Sequence, residues 1–137
     1  MYIKGIKYGR KYTISITMNK NAKELTIISP SRLHLGFYGF DDSYGYKYGS
    51  MGLAINAYKT SLSIKKSKTF SSNLPKKFMT PILKYLKLNK VSSNFEINLL
   101  SQPPSHIGLG SGSQLCLCLG KSILTHLGIK VSISDIA

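Results

Sequence analysis

Between Pro103 and Leu115 the chain reads PPSHIGLGSGSQL, which sets three glycines and three serines between a structure-breaking Pro-Pro pair and a long apolar run. An ordered glycine costs backbone entropy, so glycines cluster where a chain needs tight turns, positive φ, or close approach of its backbone to another group. The stretch before the loop, NFEINLL, alternates as a strand. The stretch after it, Leu115 to Leu127, is apolar on nearly every face except at Lys121, Ser122, Thr125 and His126, and predicts a mostly buried helix closed by Gly128. A strand, a glycine-rich loop and a helix in that order form an anion site for linked reasons. The first-turn N–H groups have no intrahelical partner, and the macrodipole places roughly half a positive charge there. Gly108, Gly110 and Gly112 let the backbone come close, and Ser111 and Ser113 add hydroxyl donors or cap the helix. Neither common phosphate fingerprint fits, since the loop lacks the Lys-Ser/Thr ending of a P-loop and a leading GxGxxG. The alternative to a phosphate loop is a structural turn with a serine N-cap.

The rest of the chain alternates strand and helix patterns. Residues 1–22 are basic, tyrosine-rich and free of acid, with a short alternation through Tyr12, Ile14 and Ile16 that reads as an edge strand or a disordered tail. From Glu24, ELTIISPSRLHLGFYGF predicts a strand, an interruption at Ser29 and Pro30, then a second strand with Leu33, Leu35 and Phe37 on one face and Arg32, His34 and Gly36 on the other. Asp41 to Ser50 predicts a loop, and MGLAINAYKTSLSIKK a long strand ending near Lys66. Leu74 to Leu88 spaces Phe78, Ile82, Tyr85 and Leu86 at helical intervals, with Pro81 expected to kink or restart the helix. At the end, VSISDIA offers Ser132 or Ser134 as an N-cap with Asp135 in the first turn. A helix beginning there predicts that the chain is the N-terminal portion of a longer protein.

Length and composition bound the reading. The 137 residues, 42% of them hydrophobic, suit one domain with its own core. The formal charge of +14 comes from 19 basic against 5 acidic residues, which invites a polyanion partner. Against nucleic acid, the lysines are scattered over several elements and the only arginines are Arg10 and Arg32, so a cationic site for a small phosphorylated anion is the better reading. Cys116 and Cys118 sit two apart, where a helix points them about 200° from each other, so they do not pair. Two such ligands are too few for zinc, and both read as small buried apolar residues in a reducing compartment. The sequence has neither an apolar run of about 18 residues nor a signal-peptide h-region, and the expectation is a cytoplasmic protein without a membrane partner.

PPSHIGLGSGSQL resembles the second motif of the GHMP kinase superfamily, and SPSRLHLGF resembles its first motif. Kinases of the superfamily typically continue Gly-Leu-Gly with Ser-Ser-Ala. HIGLGSGSQL instead is similar to the His-x-Gly-Leu-Gly-Ser-Gly-Thr-Gln-Leu form of the β-ribofuranosylaminobenzene 5′-phosphate synthase family, and PSRLHLGF followed by GLAIN resembles that family's start. The resemblance runs over residues 25 to 137. It implies an α+β domain of the ribosomal protein S5 domain 2-like fold, occupying residues 23–137 behind the basic extension, and a second domain beyond it. It also implies an activity: condensation of 5-phosphoribosyl 1-diphosphate with 4-aminobenzoate or 4-hydroxybenzoate, losing carbon dioxide and diphosphate to form a C-riboside in methanopterin biosynthesis, with Mg2+ as cofactor. Alternatives are an ATP-dependent GHMP-type small-molecule kinase and an RNA-binding protein of the same fold.

On that resemblance the phosphate-binding residues are Gly108, Gly110, Ser111, Gly112 and Ser113, and the substrate-binding residues are Arg32, His34 and His106. Arg32 would hold the benzoate carboxylate or the 5-phosphate by a bidentate contact. The histidines would bind phosphate or the ring substituent, with hydrogen-bonded structural histidines as the alternative. Gln114 reads as a first-turn residue that faces the loop and packs, with substrate contact as the alternative. Asp41 and Asp42 read as a solvated turn, with a Mg2+ contact as the alternative. Tyr44, Tyr46 and Tyr48 read as surface loop tyrosines, with stacking on the benzoate as the alternative; Gly45, Gly49 and Gly52 fall where the family is glycine-rich, and Ser50 stands where it has a second glycine. No metal site is assigned to the chain, and a homo-oligomer stays open.

Overall fold

Alternating apolar residues build a five-stranded sheet in the computed structural model, which describes residues 2, 3, 6, 7, 14–21, 23–39 and 48–136. The elements are β1 (Tyr2–Ile3), β2 (Ile6–Lys7), β3 (Ser15–Asn19), β4 (Glu24–Gly39), β5 (Tyr48–Lys66), β6 (Ser71–Ser72), α1 (Lys76–Leu88), β7 (Phe95–Ser101), α2 (Ser111–His126) and α3 (Ile133–Ile136). β1 and β2 pair with each other, and the main sheet runs β3-β4-β5-β7-β6, antiparallel except between β6 and β7. Within the basic extension, Ser15–Asn19 is therefore an edge strand, and all five of its residues are exposed. Tyr12, Asp41, Asp42, Tyr44, Gly45 and Tyr46 lie outside the described residues.

One face of the sheet carries the core. Leu25 and Ile27 of β4, Leu62 and Ile64 of β5, and Phe95 and Ile97 of β7 form one buried cluster with Leu115, Cys118, Leu119 and Ile123 of α2 and with Met79 and Leu86 of α1. Each such side chain contributes about 1.5–3 kcal/mol of burial. The two-layer arrangement follows from period-2 strands that are apolar on one face meeting helices with an apolar stripe.

Two predicted breaks are not breaks. β4 runs through Ser29 and Pro30 as one strand because β5 bulges opposite them: the register passes from Ser29↔Thr60 to Ser31↔Ile55, with Tyr58 at φ 53°. A proline needs no ladder partner where the facing strand leaves the ladder. The Ser31 hydroxyl donates to the Tyr58 carbonyl and ties the bulge down. α1 likewise continues through Pro81, which forfeits one hydrogen bond near the start of the helix without restarting it. The predicted loop at 41–50 is shorter than expected, since the β4–β5 ladder already includes Gly39↔Tyr48.

α2 starts at Ser111, four residues before the expected Leu115. Its end matches the sequence: Gly128 stands at φ 77°, its N–H donates to the Thr125 carbonyl at 3.0 Å, and the Ile129 N–H donates to Leu124 at 2.9 Å. This double closure is the Schellman arrangement that a glycine after the helix permits. Ser122, expected on a polar face, is fully buried and donates to the Cys118 carbonyl at 2.7 Å. α3 begins with a capping box in which the Ser132 N–H donates to Asp135 Oδ2 at 2.8 Å and the Asp135 N–H donates to Ser132 Oγ at 3.2 Å.

The expectation of two buried cysteines holds for Cys118 only; Cys116 is exposed, as the helical angle between them requires. Burial pushes the Cys118 thiol up to about 11. At pH 8, iodoacetamide should modify Cys116 and leave Cys118 unmodified until the protein is denatured, read by mass spectrometry. Thr60 Oγ1 is buried with no hydrogen-bond partner among the described residues. Thr60→Val removes that unpaired hydroxyl at nearly constant shape, so denaturant unfolding should show stability unchanged or raised by about 1 kcal/mol. A large loss would show that the hydroxyl has a partner.

Candidate functional site

The ladder between β3 and β4 ends at the pair Ser15↔Ile28. Farther along that edge of β4 the glycine loop takes the strand's place. The Arg32 N–H donates to the Leu109 carbonyl at 3.1 Å, and the His34 N–H donates to the Gly108 carbonyl at 3.4 Å. The loop reaches this edge by left-handed backbone at His106 (φ 63°), Gly108 (φ 78°) and Gly110 (φ 65°). Gly110 is the N-cap of α2, and no side chain caps the helix. The serine cap considered from the sequence is therefore absent, because the cap position falls one residue before Ser111 and places both hydroxyls within the first turn. The N–H groups of that turn remain available to a ligand.

A cleft of about 450 Å³ opens at this helix end, lined by Gly108 to Ser113 together with His106 and Lys77. On the other side of the loop a second cleft of about 380 Å³ is lined by Arg32, His34, Phe37, Gln114 and Leu117. Gly110 and Ser113 line both and form the wall between them. The structure thus separates the sequence-predicted residues: His106 joins the glycine loop at the helix-end cleft, whereas Arg32 and His34 stand together in the strand cleft.

Phe37 corrects the predicted face assignment. The register moves from His34↔Gly52 to Gly36↔Met51, so one extra residue of β4 is accommodated there and the alternation inverts. Phe37 consequently lies with His34, ring centroids 4.5 Å apart, in the cleft that Arg32 also lines. Gly52 has a part as well. A Cβ on it would stand 2.6 Å from Arg32 Nε and 3.3 Å from Arg32 Cγ, so the arginine lies across the bare backbone of β5.

Both clefts are positively biased. Among the described residues no carboxylate lines either one; Glu96 pairs with Lys65 at 3.2 Å and Asp135 caps α3. No group of three or more His, Cys, Asp or Glu side chains among the described residues is placed to hold a metal. Mg2+ prefers carboxylate and phosphate oxygens, so these residues do not form a protein-held Mg2+ site; their donors suit anions. Lys77 and Phe37 escaped the sequence reading as site residues. Lys77 lies on a helix nearly thirty positions before the loop, and no local pattern sets it apart from the other lysines.

A family model described as the GHMP kinases N terminal domain matches residues 73–137, the span that holds α1, β7, the glycine loop and α2. This part of the chain is a GHMP kinase N-terminal domain. The GHMP-type chain is 27% identical over 126 residues to the β-ribofuranosylphenol 5′-phosphate synthase of Archaeoglobus fulgidus, covering 82% of this chain and 37% of that protein. It is 31% identical over 114 residues to the synthase of the same name from Methanocaldococcus jannaschii, covering 72% and 35%. The chain therefore spans little more than a third of the length of these relatives. Its fold is shared with the crystal structure of a Campylobacter jejuni protein assigned as a sugar kinase, at a TM-score of 0.68 and 19% identity over 86% of this chain and 46% of that one. Arg32 and His34 precede the span of the family match but lie within the sheet that the loop pairs with.

Two glycine substitutions separate the parts of this site. At Gly110 the nearest atoms to an added Cβ are 3.6 Å away, so Gly110→Ala meets backbone strain more than a clash, and unfolding should show a loss of about 1–2 kcal/mol. Gly52→Ala displaces the Arg32 guanidinium and should weaken binding of an aromatic carboxylate while leaving inorganic diphosphate binding as it was. Titration calorimetry with benzoate and with diphosphate tests this, and equal benzoate affinity in the variant would remove Gly52 from the site.

Proposed function

We propose that this chain forms the donor and acceptor sites of a β-ribofuranosylphenol 5′-phosphate synthase-type enzyme, which joins 5-phosphoribosyl 1-diphosphate to 4-hydroxybenzoate or 4-aminobenzoate. The observation that carries the reading is the pair of clefts sharing Gly110 and Ser113 as a wall, one rich in anion donors and the other holding an arginine beside aromatic and aliphatic side chains. Similarity to curated synthases over most of the chain supports it.

In this reading the helix-end cleft takes the diphosphate. As the ribose C1–oxygen bond breaks, charge grows on the departing diphosphate, and the first-turn N–H groups, the Ser111 and Ser113 hydroxyls and Lys77 offset it. The strand cleft takes the aromatic acid, with Arg32 as a fork on the carboxylate and Phe37 and Leu117 against the ring. The ring carbon bearing the carboxylate bonds to ribose C1. The bond from that carbon to the carboxylate then breaks, its electron pair restores the aromatic ring, and carbon dioxide leaves. No proton is gained or lost overall. Mg2+, where it takes part, would arrive on the diphosphate oxygens and add charge neutralisation there. His34 and His106 orient the acid and the phosphates respectively. The reading places the protein in the cytoplasm, with its phosphorylated substrates, and in methanopterin biosynthesis. No helix among the described residues is long and apolar enough to cross a membrane.

Binding of 5-phosphoribosyl 1-diphosphate, measured by calorimetry against ATP on the same protein, tests the reading. The expected result is binding of the phosphoribosyl donor in preference to ATP. ATP binding with no response to the donor would favour the kinase alternative that the fold allows. Arg32→Lys keeps the charge but loses the fork, and should weaken benzoate binding about tenfold with little effect on the donor.

A further inference from the structure

The edges of the main sheet are treated unequally. β6, at one end, is two residues long, and the edge of β4 beyond Ile28 is covered by the glycine loop. β3, at the other end, is five residues long, and no strand among the described residues pairs with its outer side. Exposed edges are usually protected by lysine, proline or a bulge, because their free N–H and C=O groups recruit any strand that meets them. The strand SITMN contains no charge and no proline, and its register against β4 runs from Ser15↔Ile28 to Asn19↔Glu24 without a shift. In a chain with 19 basic residues, this edge has none. The side chains of β3 are unprotected in a second way. Ile16 stands opposite Ile27 and Met18 opposite Leu25, and both partners belong to the buried core. Directly opposed residues point to the same face, so Ile14, Ile16 and Met18 form a row on the core face while Ser15 and Thr17 point the other way. Ile14 packs against the core cluster, yet Ile16 is 44% and Met18 67% exposed. The core layer therefore runs on past its cover among the described residues.

We propose that β3 pairs antiparallel with β3 of a second copy of this chain, joining the two main sheets into one across a two-fold axis at Thr17. The register that pairs the whole strand sets Thr17 against Thr17 and Ile16 of each copy against Met18 of the other. Four apolar side chains then close over one another on the core face. Because both partners present the same strand, the contact is isologous and stops at a dimer. Charge selects this occupant. Two molecules that each carry a formal charge of +14 repel over most of their surfaces and meet at least cost where the surface is uncharged. In this register Lys20 of each copy falls level with Ile14 of the other, which sets the two Lys20 backbones on the order of 20 Å apart. That exceeds the Debye length of about 8 Å at physiological salt. An acidic partner would be drawn instead to lysine-bearing elements such as α1 and would find no charge to answer on this strand. A seam this short falls below the roughly 1,200 Å² of a stable interface, so the dimer is reversible, with a Kd in the micromolar range.

Sedimentation equilibrium of the 137-residue chain across a wide concentration range should show a monomer–dimer equilibrium. Added salt should tighten the dimer by screening the net repulsion, whereas an interface built on ion pairs would loosen. Thr17 is exposed and faces away from the core, so a charge there leaves the fold intact. Thr17→Lys and Thr17→Glu each set like charges against each other on the axis and should weaken dimerisation about tenfold or more. An equimolar mixture of the two variants should dimerise again, because the lysine of one then faces the glutamate of the other. Circular dichroism confirms that each variant is folded. A chain that stays monomeric up to millimolar concentration, or a dimer that folded Thr17→Lys leaves unchanged, overturns the proposal. Loss of the dimer in both charge variants without recovery in their mixture overturns the antiparallel pairing at Thr17.

Discussion

The two backbone hydrogen bonds from Arg32 and His34 to the glycine loop hold the site together. A sheet edge left open by a short neighbouring strand is a liability unless something pairs with it. Here the loop supplies the missing carbonyls, and in doing so it brings the start of α2 beside the strand that carries Arg32 and His34. Left-handed backbone at Gly108 and Gly110 makes this possible, since an L side chain there would have to be forced into the same path. One short segment thereby serves as edge cover, helix cap and wall of two clefts.

Beneath that segment lies a layer of small polar groups that is unusual for the centre of a two-layer domain. Ser29, Ser31, Thr60, Gln114 and Ser122 are all buried, and all but Thr60 have a hydrogen-bond partner. A wholly apolar layer at this depth would have packed the helix onto the sheet without specifying the angle of a side chain such as Gln114. Directed hydrogen bonds specify it, and the partnered hydroxyls offset their own burial by making them. Stability and site geometry are therefore linked through β4 and the first turns of α2.

Much of this was legible in the chain itself. The glycine loop, the existence of the helix after it, the closure at Gly128 and a helix start near Ser132 are local features, set by φ preferences and by donors and acceptors a few residues apart. Three of the departures share an origin. Pro30 reads as a break, Phe37 reads as facing away from His34, and a serine stands open as a cap because single-strand periodicity carries no information about the partner strand. Bulges in β5 opposite Pro30 and in β4 beyond His34 changed the register, and pairing of the loop with β4 moved the cap to Gly110. Lys77 lines the helix-end cleft and Gly52 lies under Arg32 through contacts made by distant parts of the chain.

The sequence alone determined that a strand, a flexible anion-suited loop and a buried helix follow one another, because those states depend on the conformational freedom and hydrogen-bonding capacity of adjacent residues. Only the tertiary structure decided that the loop divides two clefts, that Arg32 lies across Gly52, and that the Ser29 hydroxyl meets the Gln114 amide. Those outcomes depend on which edges and faces meet, and the energy that selects them arises between residues separated by tens of positions, where local propensity has no influence.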